Sequence, residues 1–544
     1  MGKVTLSPSL TYRHMMTSTH NQPHPDNELE PVLEPSIACY LPNDVCRQAR
    51  LSRDARFDGR FFIGVKTTGI YCRSICPASP PKEQNVVYFD SAIKASQAGL
   101  RPCLRCRPDS APESNAWQGT STSLQRAISL IEGGSLSGEN AQSLTELSAR
   151  LGISSRYLSR LFNQQLGTSP KKYALYRQLM FAKQLLHQTS LSITDVAMAA
   201  GFNSIRRFNE VFKSQLLLTP TQLRKTQKVN KSAETNSQGI KLLLDYRPPY
   251  SWQDIWSFYQ LRAVDGMEWL NETTFSYGRS FAFSFNEQTV TGVYEVVPVK
   301  GKNQLALTVE FEQTEHIRYL HQTVRFIRQR LDLDADMDVI EQSFEPLQNL
   351  GMKVKQGLRI PGTASVFEAG CRAVLGQQVS VIQASKLLNI LVKNYGAVKR
   401  VGGREVQFFP SAESIAATSL DEFKMPESRK RALNSLGDFV AKNPFACPSK
   451  WIDIKGIGPW TIAYAQMRGE SNPDVFLGGD LVIKNRIKAL LLALNDLPDN
   501  NPFAIANKGE FTPKLYQTFV NNLAKQVSPW GSYLTFQLWS QNEN

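Results

Sequence analysis

The spacing of apolar positions changes period several times along the chain, and those changes divide it. Between 41 and 110, short apolar runs such as Phe61-Phe62-Ile63-Gly64-Val65 and Val86-Val87-Tyr88-Phe89 predict strands, with a helix near 90–98. From 120 to 228 apolar residues recur at three- and four-residue steps, which predicts helices throughout. Alternation returns over 240–350, as in Gly292-Val293-Tyr294-Glu295-Val296-Val297-Pro298-Val299 and Leu305-Ala306-Leu307-Thr308-Val309, with helices at its flanks. The stretch 351–540 is helical, and beyond 363 no strand pair is predicted. Residues 1–40, rich in Pro, Ser, Thr, Asn and His, read as a disordered tail. The polar run 229–239 reads as a flexible linker. The expected fold class is multidomain and mainly α: a small α+β unit, an all-α unit, a second small α+β unit and an all-α body.

Within the helical stretch one pattern occurs twice. Leu151-Gly152-Ile153-Ser154 returns as Ala200-Gly201-Phe202-Asn203, 49 residues on. Each copy follows a short helix and precedes a basic helix with an apolar back, so two copies of one small unit are expected. Helix, glycine turn and helix make a helix-turn-helix, whose second helix enters the DNA major groove. The exposed positions of the reading helices are Ser155, Arg156, Ser159 and Arg160, then Ser204, Arg206, Arg207 and Asn209. Arg and Asn suit guanine and adenine edges. Leu158, Leu161, Phe162, Phe208, Val211 and Phe212 are assigned to the core. A helical protein-interaction module remains the alternative.

Charge favours the DNA reading. Residues 1–230 hold 28 Lys and Arg against 16 Asp and Glu, whereas 231–544 hold 34 against 32. The basic half is built to meet a polyanion, and the near-neutral half must meet DNA through local geometry. The length of 544 residues fits roughly three to four domains. No run of 18 apolar residues occurs and the N-terminus lacks a signal-type apolar core, so no membrane partner is expected and a cytoplasmic setting is. Eight cysteines in such a chain argue against a disulfide framework.

Four cysteines have metal spacing: Cys72-x-x-x-Cys76 and, 26 residues later, Cys103-x-x-Cys106. Close pairs on two loops suit tetrahedral thiolate ligation of one Zn²⁺. Two unrelated pairs, or a set that includes Cys39 or Cys46, stay open, and spacing alone favours a closed, inert site. The surrounding residues add more. Phe57-Asp58-Gly59-Arg60-Phe61-Phe62, Thr67-Thr68-Gly69-Ile70-Tyr71-Cys72-Arg73 and Gly99-Leu100-Arg101-Pro102-Cys103-Leu104-Arg105-Cys106-Arg107-Pro108-Asp109 resemble the N-terminal domain of the Ada methylation-response proteins. That resemblance implies that Cys72 is both ligand and acceptor of a methyl group from a DNA methylphosphotriester, with Cys76, Cys103 and Cys106 as companion ligands. Zinc keeps the sulfur as a thiolate. Four thiolates on Zn²⁺ carry net charge −2 and repel phosphate; methylation leaves −1 and strengthens DNA binding. Arg73, Arg101, Arg105 and Arg107 are expected either at phosphates or on solvated surface.

The doubled helical pattern is similar to AraC-type transcription activators. It departs at Glu210, where a basic residue is usual. With this resemblance come a promoter duplex and RNA polymerase as expected partners.

In the last third, Lys455-Gly456-Ile457-Gly458-Pro459-Trp460 is followed twenty residues after Trp460 by Asp480. Gly-x-Gly between apolar helical runs lets helices approach closely and leaves N–H groups free for a phosphate. A carboxylate beside a gripped DNA backbone suits removal of a base from its sugar. Residues 240–540 resemble bacterial 3-methyladenine DNA glycosylase II, the AlkA-type branch of the helix-hairpin-helix glycosylases. The carriers are Tyr246-Arg247-Pro248-Pro249-Tyr250, Arg359-Ile360-Pro361-Gly362, Phe367-Glu368-Ala369-Gly370, Leu375-Gly376-Gln377-Gln378-Val379-Ser380, the hairpin 455–460 and Asp474-Val475-Phe476-Leu477-Gly478-Gly479-Asp480-Leu481-Val482-Ile483-Lys484. The resemblance implies an α+β N-terminal piece and an all-helical catalytic body.

It further implies that Asp480 is the catalytic carboxylate, stabilising the cationic sugar or orienting water. A helix N-cap at Asp480 is the plainer role, and both can hold at once. Trp460, Tyr464 and Trp539 match the base pocket, where ring faces attract a cationic base by ~0.5–2 kcal/mol each. Gln378 stands at the wedge position, where the best-known form has Leu. Gly456 and Gly458 should hold a phosphate, with a monovalent cation as a candidate companion. Trp460 replaces the lysine of strand-nicking relatives, so a monofunctional enzyme is expected. Of six histidines three lie in the tail and none in these motifs, which argues against histidine acid–base chemistry. Cys371 is followed by Arg-Ala and Cys447 by Pro-Ser, so no Pro-Cys-His-Arg motif exists and methyl transfer from O6-methylguanine is not expected. The expected protein is a monomer that joins an alkylation sensor to a base-excision enzyme. A regulator with a non-catalytic C-terminal DNA clamp is the rival reading, as is a repair enzyme that its N-terminal half only targets to DNA.

Overall fold

The computed structural model describes residues 42–53, 61–74, 76, 78–89, 95, 98–103, 106, 120–139, 141–225, 239–285, 288–348, 351–493 and 512–540. The predicted tail, most of the 229–239 linker and most of the 90–98 helix lie outside them. Two compact units emerge, Met1–Ser123 and Leu124–Asn544.

In the first unit, helix α1 (Asn43–Ser52) accompanies a sheet of order β3-β1-β2-β4. Its strands are β1 (Phe62–Val65), β2 (Ile70–Arg73), β3 (Val86–Phe89) and the two-residue β4 (Arg101–Pro102), which runs parallel to β2. Alternation sends successive side chains to opposite faces. Phe61, Ile63 and Val65 therefore pack with Cys46, Ala49 and Tyr88, while Phe62 packs with Tyr71, Phe89 and Ala95.

Helix α2 (Thr120–Glu132) crosses into the second unit, which continues with α3 (Leu144–Arg150), α4 (Ser155–Leu166), α5 (Pro170–Gln188), α6 (Ile193–Ala199), α7 (Ile205–Leu216) and α8 (Pro220–Lys225). Turn glycines Gly152 and Gly201 have φ of 70° and 80°, a conformation that costs a side-chain-bearing residue. Ser154 caps α4 by accepting from Tyr157 N, and Ser204 caps α7 by accepting from Arg207 N. The doubled pattern is thus two helix-turn-helix units. Leu158, Leu161, Phe162, Phe208 and Phe212 are buried as expected, and Val211 is partly so.

An antiparallel five-stranded sheet of order β5-β9-β8-β7-β6 follows. It comprises β5 (Ile240–Asp245), β6 (Glu268–Asn271), β7 (Ser276–Phe285), β8 (Gln288–Pro298) and β9 (Gln304–Phe311), with α9 (Trp252–Gln260) between β5 and β6. Helices α10 (Leu320–Arg330), α11 (Met337–Gln342) and α12 (Glu345–Gln348) lead into the body. The body contains α13 (Val366–Leu375), α14 (Val381–Tyr395), α15 (Ala412–Ala416), α16 (Glu427–Lys442), α17 (Pro459–Gly469), α18 (Leu481–Ala493), α19 (Pro513–Val527) and α20 (Gly531–Ser540).

One expectation fails here. The body does hold a strand pair, β10 (Val398–Val401) with β11 (Arg404–Gln407). Gly402 and Gly403 turn between them at φ 58° and 79°. Two consecutive positive φ angles make the turn whose twist suits a hairpin. Four-residue strands are too short to register as alternation, but the Gly-Gly pair is a readable signal.

Sheet and body are fastened by a buried ionic quartet. Arg279 of β7 lies 2.8 Å from Glu368 of α13 and 3.5 Å from Glu268 of β6. Arg372 lies 2.8 Å from Glu368 and 3.1 Å from Glu268. Burial alone would raise the Glu368 carboxyl; the guanidinium groups of Arg279 and Arg372 more than offset this and hold it below the usual carboxylate range. Charges sum to zero, so the quartet is tolerated whole and costly broken. Glu368→Ala is expected to lower stability by about 3–5 kcal/mol, because two guanidinium groups are left buried with one carboxylate. Denaturant unfolding of the variant measures it.

Two other largely desolvated groups give pH dependence of opposite sign. Asp332 accepts from Ile360 N at 3.2 Å and Tyr533 Oη at 2.9 Å, yet burial pushes its carboxyl up to about 6. The native chain binds this proton more tightly than the unfolded one, so the stability it gives is lost as pH rises from about 4 to 6. His321 packs edge-on to Phe181; burial, with Arg177 and Arg325 nearby, pushes it down to about 4. Here the unfolded chain takes up the proton first, so stability is lost as pH falls from about 6.5 to 4. Relative to the native sequence, Asp332→Asn should therefore gain about 3 kcal/mol between pH 4 and pH 7, and His321→Gln should lose a similar amount over that interval. Unfolding midpoints taken at stepped pH test both slopes.

Candidate functional sites

In the first unit the four predicted ligands converge. Cys72 sits on β2, and Cys103 follows β4, held there by Cys103 N donating to Tyr71 O at 3.0 Å. Cys76 closes a turn through its N–H to Arg73 O, and the sulfurs of Cys72, Cys76, Cys103 and Cys106 all lie within 4.8 Å of one another. Tetrahedral ligation with Zn–S near ~2.3 Å needs sulfurs about 3.8 Å apart. Hydrogen bonds from Cys106 and Cys76, and burial, push the Cys72 thiol up, while hydrogen bonds from Cys106 and Cys72 hold Cys76 down. Four such sulfurs cannot all ionise without a cation among them. The cluster holds one zinc ion on four cysteines. Cys46 is excluded, being buried with Ala49 and Phe61, and Cys39 lies outside the described residues.

Exposure separates the ligands. Cys103 and Cys106 are buried, Cys72 and Cys76 partly exposed. Arg73 N also donates to Cys106 Sγ at 3.4 Å, which dampens that sulfur further. One expectation is corrected: Arg73 does not stand at the surface to meet phosphate. It is 1% exposed and its guanidinium donates to Cys106 O at 3.2 Å, fixing the loop that carries the last ligand. The side chains of Arg101, Arg105 and Arg107 lie outside the described residues.

The reading helices present the predicted side chains. Arg156 and Arg160 on α4 and Arg206, Arg207 and Asn209 on α7 are exposed, while Ser155 and Ser159 are partly so. Arg160 lies over the Tyr157 ring at 5.0 Å.

In the second unit the structure gathers Asp480, Trp460, Tyr464 and Trp539. Asp480 precedes α18 and caps it: Val482 N and Ile483 N donate to its Oδ1 at 2.9 and 3.3 Å. Trp460 Nε1 donates to Oδ2 at 3.1 Å and Trp539 Nε1 to Oδ1 at 3.2 Å. Both indoles thus orient a partly exposed carboxylate between aromatic walls. Trp460 stacks on Tyr464 at 5.4 Å, and Tyr464 lies 6.3 Å from Trp539.

Phe258, Arg262, Arg468 and Phe536 were not singled out from sequence, yet they complete this wall. Phe258 of α9 packs on Phe536, which packs on Trp539. Arg262 lies 3.8 Å over Phe258. Arg468 lies over both Phe258 and Tyr464, and its Nη1 donates to Tyr464 Oη at 2.7 Å. Burial alone would push the Tyr464 phenol up; Arg468, with Arg262 and Arg372, more than offsets this and holds it below its usual range. Spacing offered a signal, since Phe258 to Arg262 and Tyr464 to Arg468 are one helical turn apart.

The hairpin adjoins this wall through α17. Gly456 has φ 93°, and a Cβ there would meet Ala432 of α16 at 2.9 Å. Gly458 faces open space and sits at the N-cap of α17, before Pro459. Close approach thus requires Gly456 alone, while Gly458 leaves the first-turn N–H groups uncovered. Gln378 is exposed at φ 57° in the loop between α13 and α14. Its neighbour Gln377 donates to Gly456 O at 3.0 Å and Thr461 Oγ1 at 3.2 Å, which fixes that loop to the hairpin.

Three family models match the chain: the metal binding domain of Ada at residues 45–109, a helix-turn-helix domain at 147–226 and the AlkA N-terminal domain at 241–365. A probable bifunctional transcriptional activator/DNA repair enzyme AlkA from Mycobacterium tuberculosis (strain ATCC 25618 / H37Rv) is 31% identical over 512 residues, covering 92% of this chain and 96% of that protein. DNA-3-methyladenine glycosylase 2 of Escherichia coli (strain K12) is 27% identical over 54% of this chain and 95% of its own length. The bifunctional transcriptional activator/DNA repair enzyme Ada of the same strain is 32% identical over 34% of this chain and 50% of its own length. Among the described residues no helix is long and apolar enough to cross a membrane.

Proposed function

The chain belongs to the family of AlkA-type bifunctional transcriptional activator/DNA repair enzymes, and on that premise we propose that Asp480 drives its repair chemistry and Cys72 its damage sensing. The repair activity is hydrolysis of the bond between sugar and alkylated base in duplex DNA, of the DNA-3-methyladenine glycosylase II type. The observation that supports it best is a carboxylate fixed by four N–H donors and walled by Trp460, Tyr464 and Trp539. As the C–N bond breaks, its pair of electrons leaves with the base and positive charge grows on the sugar. Asp480 stabilises that charge at no reorganisation cost, because the indoles already aim it. Water then completes the bond to the sugar carbon and gives up a proton to the surrounding water. A base alkylated at N3 or N7 is already cationic, so it leaves without a general acid, and one carboxylate suffices.

The everted base lies against the rings of Trp460, Tyr464 and Trp539, which favour a cation. Gln378, exposed on a loop pinned to the hairpin, fills the gap left in the duplex. The first-turn N–H groups after Gly458, with Gly456 shaping the turn, hold a backbone phosphate, with a monovalent cation as companion. Trp460 offers no amine for a Schiff base, so the enzyme is monofunctional.

In the first unit zinc supplies a thiolate at neutral pH. Cys72 Sγ forms the bond to the methyl carbon while the methyl–oxygen bond breaks, and the phosphodiester leaves as an anion. The reaction is a single-use methyl transfer. Loss of one negative charge at the cluster then favours phosphate. Arg156, Arg160, Arg206 and Arg207 place the protein on a promoter, where it recruits RNA polymerase as a monomer in the bacterial cytoplasm, associated with the nucleoid. Incubation with methylated duplex DNA, scoring released bases and protein-bound methyl together, tests both activities. Methyl uptake without base release would leave only the regulator with a DNA clamp.

A further inference from the structure

The two helix-turn-helix units are built differently. The first has a core of its own, made of Leu124, Ala127, Ile131, Leu147, Leu158, Phe162 and Ala174. The second has none that is separate: Val196, Ala197, Phe202, Phe208 and Phe212 belong to the cluster that holds Leu242, Leu244, Phe281 and Leu307 of the sheet. Helix α5 makes the join, with Leu179, Phe181, Ala182, Leu185 and Leu186 buried. Its polar side covers the edge strand β5. Leu243 N donates to Gln188 Oε1 at 2.9 Å, and Leu243 O accepts from Gln184 Nε2 at 3.2 Å. An edge strand leaves such groups unpaired unless something caps them, and here two glutamines of the regulatory region do so.

Further contacts join the helical region to the repair body. Phe181 meets the His321 ring edge-on at 4.8 Å. Arg325 of α10 also reaches the first helix-turn-helix unit, donating to Ser129 Oγ of α2 at 2.7 Å and to Ser129 O. Arg318 pairs with Glu139. The loop bearing Glu139 is in turn tied to the second unit's glycine turn, through Gly138 N to Gly201 O at 3.0 Å and Asn203 Nδ2 to Gly138 O at 3.1 Å. Domains that move independently meet over small, polar surfaces. A continuous apolar core with a capped sheet edge is the opposite case.

We propose that the second helix-turn-helix unit is a built-in part of the repair body, so that residues 179–216 and the five-stranded sheet open only together. The second reading helix and the Asp480 pocket are then carried at a fixed separation. Duplex DNA held by α7 stabilises the repair body through the same linkage that stabilises α7 itself.

Native-state hydrogen exchange on the full chain tests this, with Leu307→Ala in β9 as the perturbation. Leu307 is 1% exposed and belongs to the sheet. The expected result is that opening constants of the most protected amides in 305–309 and in 193–216 rise by the same factor, on the order of 10². Amides of 193–216 that keep their native exchange rates while the sheet loosens would overturn the proposal. Should Leu307→Ala not fold, Val309→Ala removes less side chain and gives the same comparison at a smaller factor. The readout needs no DNA and no activity, so it stands apart from the catalytic assignment.

Discussion

Asp480→Asn is expected to leave the chain folded while base release from methylated duplex DNA falls on the order of 10³-fold. The amide keeps the shape of the carboxylate, and its oxygen can still accept from Val482 N as the cap of α18. What it loses is the negative charge that meets the growing positive charge on the sugar. It also turns an NH₂ toward an indole N–H, since both carboxylate oxygens now accept from tryptophans. That mismatch costs about 1 kcal/mol of stability, far too little to unfold the body. Single-turnover release of bases, measured beside an unfolding midpoint, separates the two effects. Excision at the native rate by a folded variant would falsify the catalytic assignment.

Cys72→Ala should abolish methyl uptake from methylphosphotriester DNA while excision persists, because the Asp480 wall is drawn entirely from residues 258–539. Two of the four sulfurs are partly exposed, Cys72 and Cys76, and the proposed acceptor Cys72 is one of them. Three thiols still bind zinc more weakly, and zinc content should fall with the variant. Labelled methyl mapped on the native protein by peptide mass decides between the pair. Label on Cys76 would reassign the acceptor without disturbing the zinc site.

Much of this was readable from local pattern. Cysteine pairs with short internal spacing name a metal site because ligands on one loop must reach one ion. The two glycine turns were visible because only glycine adopts their φ cheaply, and the serines that follow are N-caps by chemistry. Asp480 and the hairpin were found through a motif, and the tryptophans through their match to it. The failures have local causes as well. Arg73 carries a charge, and charge suggests surface; a carbonyl at the end of the ligand loop draws it inside. The β10–β11 hairpin was missed because strands of four residues carry almost no periodic signal.

The sequence by itself determined most of the helices and longer strands and the two cysteine pairs with metal spacing, since these follow from neighbours a few residues away. Only the tertiary structure decided how Asp480 is aimed, for its two indole donors come from positions 20 and 59 residues away. The same holds for the wall of Phe258, Arg262 and Arg468, for the ionic quartet between sheet and body, and for the core that the second helix-turn-helix unit shares with the sheet. Each is a contact between distant segments, and the free energy that selects it comes from burial, which no local pattern encodes.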